Sequence, residues 1–533
     1  MYIAYRTSNG QTYAFLAEAV RNGKTVKKNY LVNLGRVLDK EKGIYRSRER
    51  GVYTYDLESN SYGKVPVDYI EPSKSKPSKY LVAGGKKRSR LCIEFGDSFF
   101  LDAFLKETGL YQVIDAAGYG NKDTLHAIVF YYLLSQQPNS HAADWYELSY
   151  AKYLFPNATM SSQRISDALA EIGMEDSKRL FFGAYYPYMH GLTVPQPKQD
   201  FGLADPGDTG EGILIDSTGL PNSAHLPITA VSNHNGEIHN EVRLIYVVQQ
   251  KTGLPLFFSY VAGNVIDAST VKHVVAHLRK NGIDTNFAVL DAGYYNSRNA
   301  DALMDAKISF ITRVHTNNRV FTEAVNSYRA SLECRDNFVT YNGRFYYIKR
   351  TSCKIGQKSD RDAYAYLCLD VAMRDQQKSG LRARIGDQKL SDGEVYDNMY
   401  SYGLFVLVAT RPITPDKVLT LYYTRNQIEA VFRVDKSFGK LLPLRTATEE
   451  TFRGHLLITF IVSVILNLLQ VRLKNTGISS SAMFEELRHQ QGIVYEDAIV
   501  PSIAVKKMND IYKLFKFKCP DEVPFKEELP PNL

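Results

Sequence analysis

Two short apolar runs, each closed by an aspartate, constrain this chain more than any other feature. Gly212-Ile-Leu-Ile-Asp216 is the first and Phe287-Ala-Val-Leu-Asp291 is the second. Short apolar runs bounded by polar turns read as strands covered on both faces. The pattern around them alternates. Val242 to Gln249 and Leu256 to Tyr260 read as strands, 267–281 as an amphipathic helix, about 297–306 as another helix, and Ile308 to Arg313 as a further strand. A covered sheet needs helices on its faces, so this part of the chain is an α/β layer. Its first and fourth strands each end in an acid. Either aspartate alone also reads as an ordinary turn residue.

The third acid lies on a segment that reads as helical, Tyr422 to Lys436, which Thr414 and Pro415 begin. Thr424 and Gln427 can form a local capping box if the helix breaks there. At about 100° per residue, Tyr422, Arg425, Glu429 and Lys436 share an arc of roughly 60°. Leu421, Ile428 and Phe432 flank them as an apolar stripe. A surface ion pair between Arg425 and Glu429 gives the same pattern. Three strands, helix, strand, helix, strand is the order of a ribonuclease H-like core, a fold-level analogy in which Asp216, Asp291 and Glu429 converge. Three clustered carboxylates are hard oxygen ligands suited to two Mg²⁺ ions, with Mn²⁺ as a substitute. Two such ions activate a water or 3′-hydroxyl and stabilise the leaving oxygen in phosphodiester chemistry.

Composition narrows the class. A chain of 533 residues suggests about three or four domains. With 44% apolar and 23% charged residues, disorder or low-complexity repeats are excluded as its bulk. The first residues carry no apolar signal segment. The longest apolar stretch, Leu456 to Leu469, is short for a membrane span and is interrupted by Thr459, Ser463 and Asn467. Those three share one helix face, so it reads as a packed helix with one polar edge, and no membrane partner is expected. The five cysteines are scattered without a CxxC, which argues for a reducing compartment and against a disulfide framework or thiolate zinc site. His273 and His277 have i, i+4 spacing without the glutamate of a zinc-protease helix, and read as an exposed face.

Charge is uneven. Residues 1–90 carry 19 Lys and Arg against 8 Asp and Glu, a net of +11 in a chain of net +8. A basic N-terminal segment on a near-neutral body suits a polyanion, and equally a solubilising tail.

The reading is an α+β multidomain chain. Residues 1–70 form a β-rich N-terminal domain with a hairpin at Val20 to Lys24. Residues 71–92 form a basic linker containing Lys86, Lys87 and Arg88. Residues 93–200 are helical and include Ser161-Ser162-Gln-Arg164, the start of either a DNA-reading helix or a capped bundle helix. The core's first part spans 201–315. A β-rich insertion spans 316–410 and contains the Asn342-Gly343 hairpin. The core's second part spans 411–475, and a C-terminal helical region spans 476–533. Near the hairpin tip, Phe345 and Tyr346 stand beside cations and are candidates for stacking an unpaired base; cross-strand packing is the alternative.

Tyr422-x2-Arg425-x3-Glu429-x6-Lys436 matches the YREK signature, and the chain resembles the bacterial insertion-sequence DDE transposases that carry it. Asp216-Ser-Thr, Gly263-Asn264 before Asp267, Asp291-Ala-Gly293-Tyr294, Gly454-His455 and Asn33-Leu-Gly35-Arg add to the resemblance. It implies a ribonuclease H-like catalytic domain interrupted by a β insertion, with Asp216, Asp291 and Glu429 as metal ligands. It implies that Tyr422, Arg425 and Lys436 grip phosphates at the transposon end. Arg433 on the same helix and Lys86, Lys87 and Arg88 in the linker join the expected DNA-binding set. The implied activity is Mg²⁺-dependent cleavage at transposon ends and strand transfer into target DNA. The implied partner is double-stranded DNA, bound by a homodimer, in the bacterial cytoplasm and at the nucleoid. A nuclease or resolvase without strand transfer and a non-catalytic DNA-binding regulator are the alternatives. One departure stands out. Relatives that cut through a DNA hairpin can hold a flipped base on an insertion-domain Trp, whereas the single Trp here is Trp145, in the helical region.

Overall fold

Alternating side chains along six consecutive strands build the N-terminal unit, Met1–Arg88. The strands are β1 (Tyr2–Ser8), β2 (Gln11–Asn22), β3 (Thr25–Asp39), β4 (Ile44–Ser47), β5 (Gly51–Asp56) and β6 (Ser61–Gly63), each antiparallel to the next. Asn22 pairs with Thr25, which closes the expected hairpin. Ala14, Leu16, Leu34, Tyr45, Tyr53 and Tyr55 form a small core on one face. Gly35 has φ +86°, and a Cβ there would overlap the Arg46 carbonyl, so the Asn33-Leu-Gly35-Arg turn requires glycine. The computed structural model describes residues 1–8, 11–22, 25–47, 50–66, 91–192, 211–221, 226, 228–234, 237–263, 271–283, 285–385, 392–437, 446 and 448–525. Lys86, Lys87 and Arg88 of the expected linker lie outside the described residues.

The second unit, Ser89–Leu533, is organised by two sheets and a long helix. Strand β7 (Leu91–Glu94) begins where the linker was expected to continue to 92. It pairs with β18 (Gln491–Val494), which pairs with β19 (Ala498–Pro501) and through it with β20 (Val523–Pro524). The C-terminal region, expected to be helical, therefore also supplies three strands. Each has two to four residues, too few for a periodic signal, and the partner of β18 lies some 400 positions away in sequence.

The larger sheet contains β8 (Glu211–Pro221), β9 (Ala230–His234), β10 (Glu237–Gln249), β11 (Pro255–Ala262), β12 (Thr285–Leu290) and β13 (Ser309–Val314). It continues through β14 (Phe338–Tyr341), β15 (Arg344–Ile355), β16 (Arg361–Asp370) and β17 (Leu404–Ala409). The spatial order is β11-β10-β8-β12-β13-β17-β16-β15-β14, with β9 paired to β10. Strands β8, β12 and β13 are mutually parallel, and the other pairings are antiparallel. The helices Val271–Lys280 and Ser297–Asp305 make the crossovers into β12 and β13. The strands of the 316–410 segment do not form a separate sheet. Strand β17 pairs with β13 and carries β16, β15 and β14 outward on the same sheet. Asn342 (φ +46°) and Gly343 (φ +71°) turn the β14/β15 hairpin, as the Asn-Gly pair requires.

Helix Glu449–Leu473 is long and apolar enough to cross a membrane by length and composition, with a mean hydropathy of 2.2, but 83% of that window is buried inside the protein. Its polar edge is buried too. Thr459, Ser463 and Asn467 face the interior, Asn467 donates to the Ser463 carbonyl at 2.8 Å, and His455 Nδ1 meets Tyr132 Oη at 3.0 Å. Helix Ser162–Ile172 lies against it, capped by Ser161 and turning Ile165, Ala168, Leu169 and Ile172 inward. Its start is thus a capped packing helix, with Arg164 exposed and paired to Asp167. The two helices touch backbone to backbone. A Cβ on Gly454 would overlap the Leu169 carbonyl oxygen, and one on Gly173 the Glu450 carbonyl oxygen. We therefore expect Gly454→Ala to force the helices apart and lower stability by about 1–3 kcal/mol. Chemical denaturation of the full chain would measure this, and an unchanged midpoint would contradict it.

Candidate active site

The register of the central strands places the acids. Leu290 of β12 pairs with Ile215 of β8, so the next residues, Asp291 and Asp216, stand side by side where this parallel pairing stops; β12 ends there, whereas β8, expected to end at Asp216, runs on to Pro221 against β10. Asp216 pairs with Tyr246 across β8 and β10, and their side chains share a face of the sheet. The Tyr246 ring meets Phe432 at 5.4 Å and Phe460 at 5.8 Å. The apolar side of helix Asn426–Ser437 is therefore seated on the face to which Asp216 points, and Glu429 follows on that helix. The turn after Asp291 is fixed from below. Tyr294 is fully buried, and its carbonyl accepts a 2.8 Å hydrogen bond from Asn299 Nδ2. The Asp291 carbonyl accepts from Thr312 Oγ1 at 3.2 Å. This explains the Asp291-Ala-Gly-Tyr294 sequence as an anchored turn.

The three carboxylates meet at one guanidinium. Arg425 Nη1 lies 3.3 Å from Asp216 Oδ2 and 3.0 Å from Asp291 Oδ1, and Nη2 lies 3.0 Å from Glu429 Oε1. Arg425 was expected to reach for phosphate rather than pair with Glu429; it pairs with all three acids. The reason is electrostatic. Three carboxylates drawn together in a partly buried site attract the nearest cation. Burial alone would pull the guanidinium's pKa down, but Asp291, Tyr422, Asp216 and Glu429 hold it above its ordinary value. Burial pushes the Asp216 carboxyl up to about 7 against the pull of Arg425, and Asp291 and Glu429 push the same way as burial.

The helix carrying these residues differs from the expected single face. A helix Pro415–Tyr422 ends, a 3₁₀ turn spans Tyr423–Arg425, and a second helix runs Asn426–Ser437. Thr424 does not cap; its hydroxyl donates to the Leu421 carbonyl at 2.7 Å and accepts from Gln250 Nε2 at 3.3 Å. Tyr422 was expected to present its phenol to a phosphate. It sits on the first helix and is only 4% exposed, and burial drives its pKa well up. Arg433 and Lys436 fall on the second helix, but their side chains lie outside the described residues.

At the hairpin, alternation separates the two stacking candidates. Phe345 is exposed and lies beside Phe338, with ring centroids 5.7 Å apart. Tyr346 is buried and cannot receive a base, because the next position in a strand faces the core. The residue that sequence reasoning missed is Tyr341. Its ring stacks on Tyr423 at 5.4 Å and 13°, tying the hairpin to the turn that carries Arg425. Only the adjacent tyrosines 422 and 423 hinted at such a contact. His273 is exposed as expected, whereas His277 stacks on Phe257 at 3.9 Å and burial lowers its pKa to about 4.

The donor set fits a hard divalent cation. Three carboxylates share one guanidinium, which leaves an excess of negative charge that a divalent ion would complement. The oxygens surround Arg425 rather than a common point, and among the described residues no three carboxylate, imidazole or thiolate groups already converge on an ion-sized space.

The raised Asp216 has a consequence for stability. Between the ordinary carboxylate range and about pH 7, the folded chain keeps a proton on Asp216 that the unfolded chain has released. Stability contributed by this group is therefore present at low pH and falls as pH rises through that window. In a chelator, Asp216→Asn should gain thermal midpoint relative to wild type as pH is raised from about 5 to about 8. A difference that stays constant with pH would contradict the raised carboxyl.

Residues 207–465 match the family model described as the transposase DDE domain, a span that contains Asp216, Asp291 and Glu429. No curated protein matches the chain. Among solved structures the chain is similar to the piggyBac transposase in a cryo-EM synaptic complex with hairpin DNA, at 11% identity and a TM-score of 0.37, over 69% of this chain and 70% of that one.

Proposed function

We propose that this chain, whose residues 207–465 match the transposase DDE domain model, is a DNA transposase of the YREK-signature insertion-sequence group. In this reading it cuts the ends of its element and joins the freed 3′-hydroxyls to target DNA in a bacterial cytoplasm, as a homodimer on DNA. The observation that carries the reading is the gathering of Asp216, Asp291 and Glu429, from three separate elements, around the one guanidinium of Arg425. Counting β8, β10, β11, β12 and β13 as first to fifth, their order across the sheet is 3-2-1-4-5, which supports a ribonuclease H-like core. In such a core the ligand lies where Asp291 follows the end of β12, beside Asp216 of β8.

Asp216, Asp291 and Glu429 would hold Mg²⁺ ions, which supply activation of the attacking hydroxyl and stabilisation of the leaving oxygen. The chain's own residues provide the rest. The paired strand ends fix the two aspartates relative to each other. The Tyr246–Phe432 contact fixes the height of Glu429 above them. Asp216 is buried, while Asp291 and Glu429 are open, so the site is approached from the side of Asp291 and Glu429. In this reading Arg433 and Lys436, on the helix of Glu429, contact the phosphate backbone.

Asp216→Asn, Asp291→Asn and Glu429→Gln each remove a charge with little change in shape. Each should abolish Mg²⁺-dependent nicking of a labelled element end while leaving end binding nearly unchanged. Near-normal nicking by any of them would remove that residue from the set. A labelled end incubated with and without target DNA distinguishes strand transfer from simple cleavage.

The N-terminal unit forms its own sheet and core, and the segment to residue 90 carries the chain's excess positive charge. We assign it to binding of the element's end. Deleting residues 1–88 should sharply weaken end binding and flatten its salt dependence, measured by fluorescence polarisation at several salt concentrations. Equal affinities of the truncated and full chains at each salt would make this unit a solubility or assembly device.

A further inference from the structure

We propose that Arg425 is the resident counter-cation of the acidic triad, competing with divalent ions for Asp216, Asp291 and Glu429. This rests on the reading of the triad as a divalent-cation site. It adds that the site is built to be closed by its own arginine.

Four observations carry it. First, both terminal nitrogens of Arg425 are spent on the triad, at 3.0–3.3 Å, so the guanidinium fills the place where the three carboxylates meet. A cation held by those same oxygens must displace it, by volume and by like charge. Second, Arg425 Nε is buried and has no hydrogen-bond partner among the described residues, so among them this side-chain position leaves one donor unsatisfied. An arginine with every donor bonded would resist displacement more strongly. Third, Arg425 closes the 3₁₀ turn between two helices, a local break in the α-helical ladder of the kind that often marks a functional hinge. Fourth, Glu429 and Asp291 are 47% and 39% exposed at their side chains, against 19% for Arg425. The open side of the site is thus available both to an entering ion and to the departing guanidinium.

The two cations answer the same charge. With Arg425 in place the carboxylates are held together without an ion. With an ion in place the guanidinium is freed toward solvent. By linkage, whatever draws Arg425 away tightens ion binding by the same factor by which the ion loosens Arg425.

The test is Mn²⁺ binding to the full-length protein without DNA, followed by electron paramagnetic resonance. Arg425→Gln should bind Mn²⁺ tighter than wild type by about tenfold or more. Arg425→Lys, which keeps a charge but cannot bridge three carboxylates, should fall between them. Arg313→Gln removes a nearby charge that faces the Phe405 ring instead of the triad, and should change affinity by less than about twofold. Adding Asp216→Asn to Arg425→Gln should abolish the gain. Thermal unfolding supplies a second readout. In a chelator Arg425→Gln should melt below wild type, and Mn²⁺ should raise its midpoint by more than it raises that of wild type. Mn²⁺ affinity that is equal or lower in Arg425→Gln, yet still depends on Asp216, would overturn the counter-cation role and leave the triad's reading intact. Mn²⁺ binding that depends on Asp216 in no variant would overturn the triad's reading and this inference with it.

Discussion

Three carboxylates drawn together beside two central strands need a cation or a proton to answer them, and much of this fold reads as the means of meeting that constraint. Arg425 answers them with two nitrogens. The parallel pairing of β8 and β12 brings two acids side by side, and the Tyr246–Phe432–Phe460 cluster seats the helix of the third. The turn that carries Arg425 is held on one side by Gln250 through Thr424 and on the other by Tyr341 through Tyr423. The segment between β13 and the glutamate helix therefore has a structural role at the site. It extends the sheet through β17 and returns a tyrosine to brace the arginine's turn.

Helix Glu449–Leu473 is the second organising element. It is apolar on nearly every side because helices, the sheet edge and the glutamate helix surround it. Thr459, Ser463 and Asn467 are interior, and Asn467 and His455 make hydrogen bonds there. Glycines at 173 and 454 let neighbouring backbone approach where any side chain would collide. The hydrophobic core and the acidic site meet at Phe460, whose ring touches Tyr246, the cross-strand partner of Asp216.

Much of the site was legible in the sequence, for physical reasons. Buried strands at the centre of a sheet must be apolar throughout, so an acid closing such a run is conspicuous, and Asp216 and Asp291 stand out at once. Glu429 is found from its spacing to Arg425. Other features leave no such trace. A 3₁₀ turn between two helices hardly alters the apolar spacing, so the break at Tyr423–Arg425 shows in the sequence only as the Thr424 and Gln427 capping option, and the burial of Tyr422 not at all. Alternation separates Phe345 from Tyr346 but does not say which face is buried; the structure puts Tyr346 inside. Pattern identifies strands but not their partners. The continuity of β14–β17 with the core sheet, and the pairing of β7 with β18 across the chain, depend on tertiary packing alone.

We propose that Asp216, Asp291 and Glu429 form a divalent-cation site that Arg425 otherwise fills. Anomalous diffraction from crystals of the full-length protein soaked in Mn²⁺ tests it most directly. The account predicts anomalous peaks within coordination distance of these three carboxylates, with the Arg425 guanidinium moved off them. Mn²⁺ peaks elsewhere, with Arg425 still bridging the three acids, would contradict it.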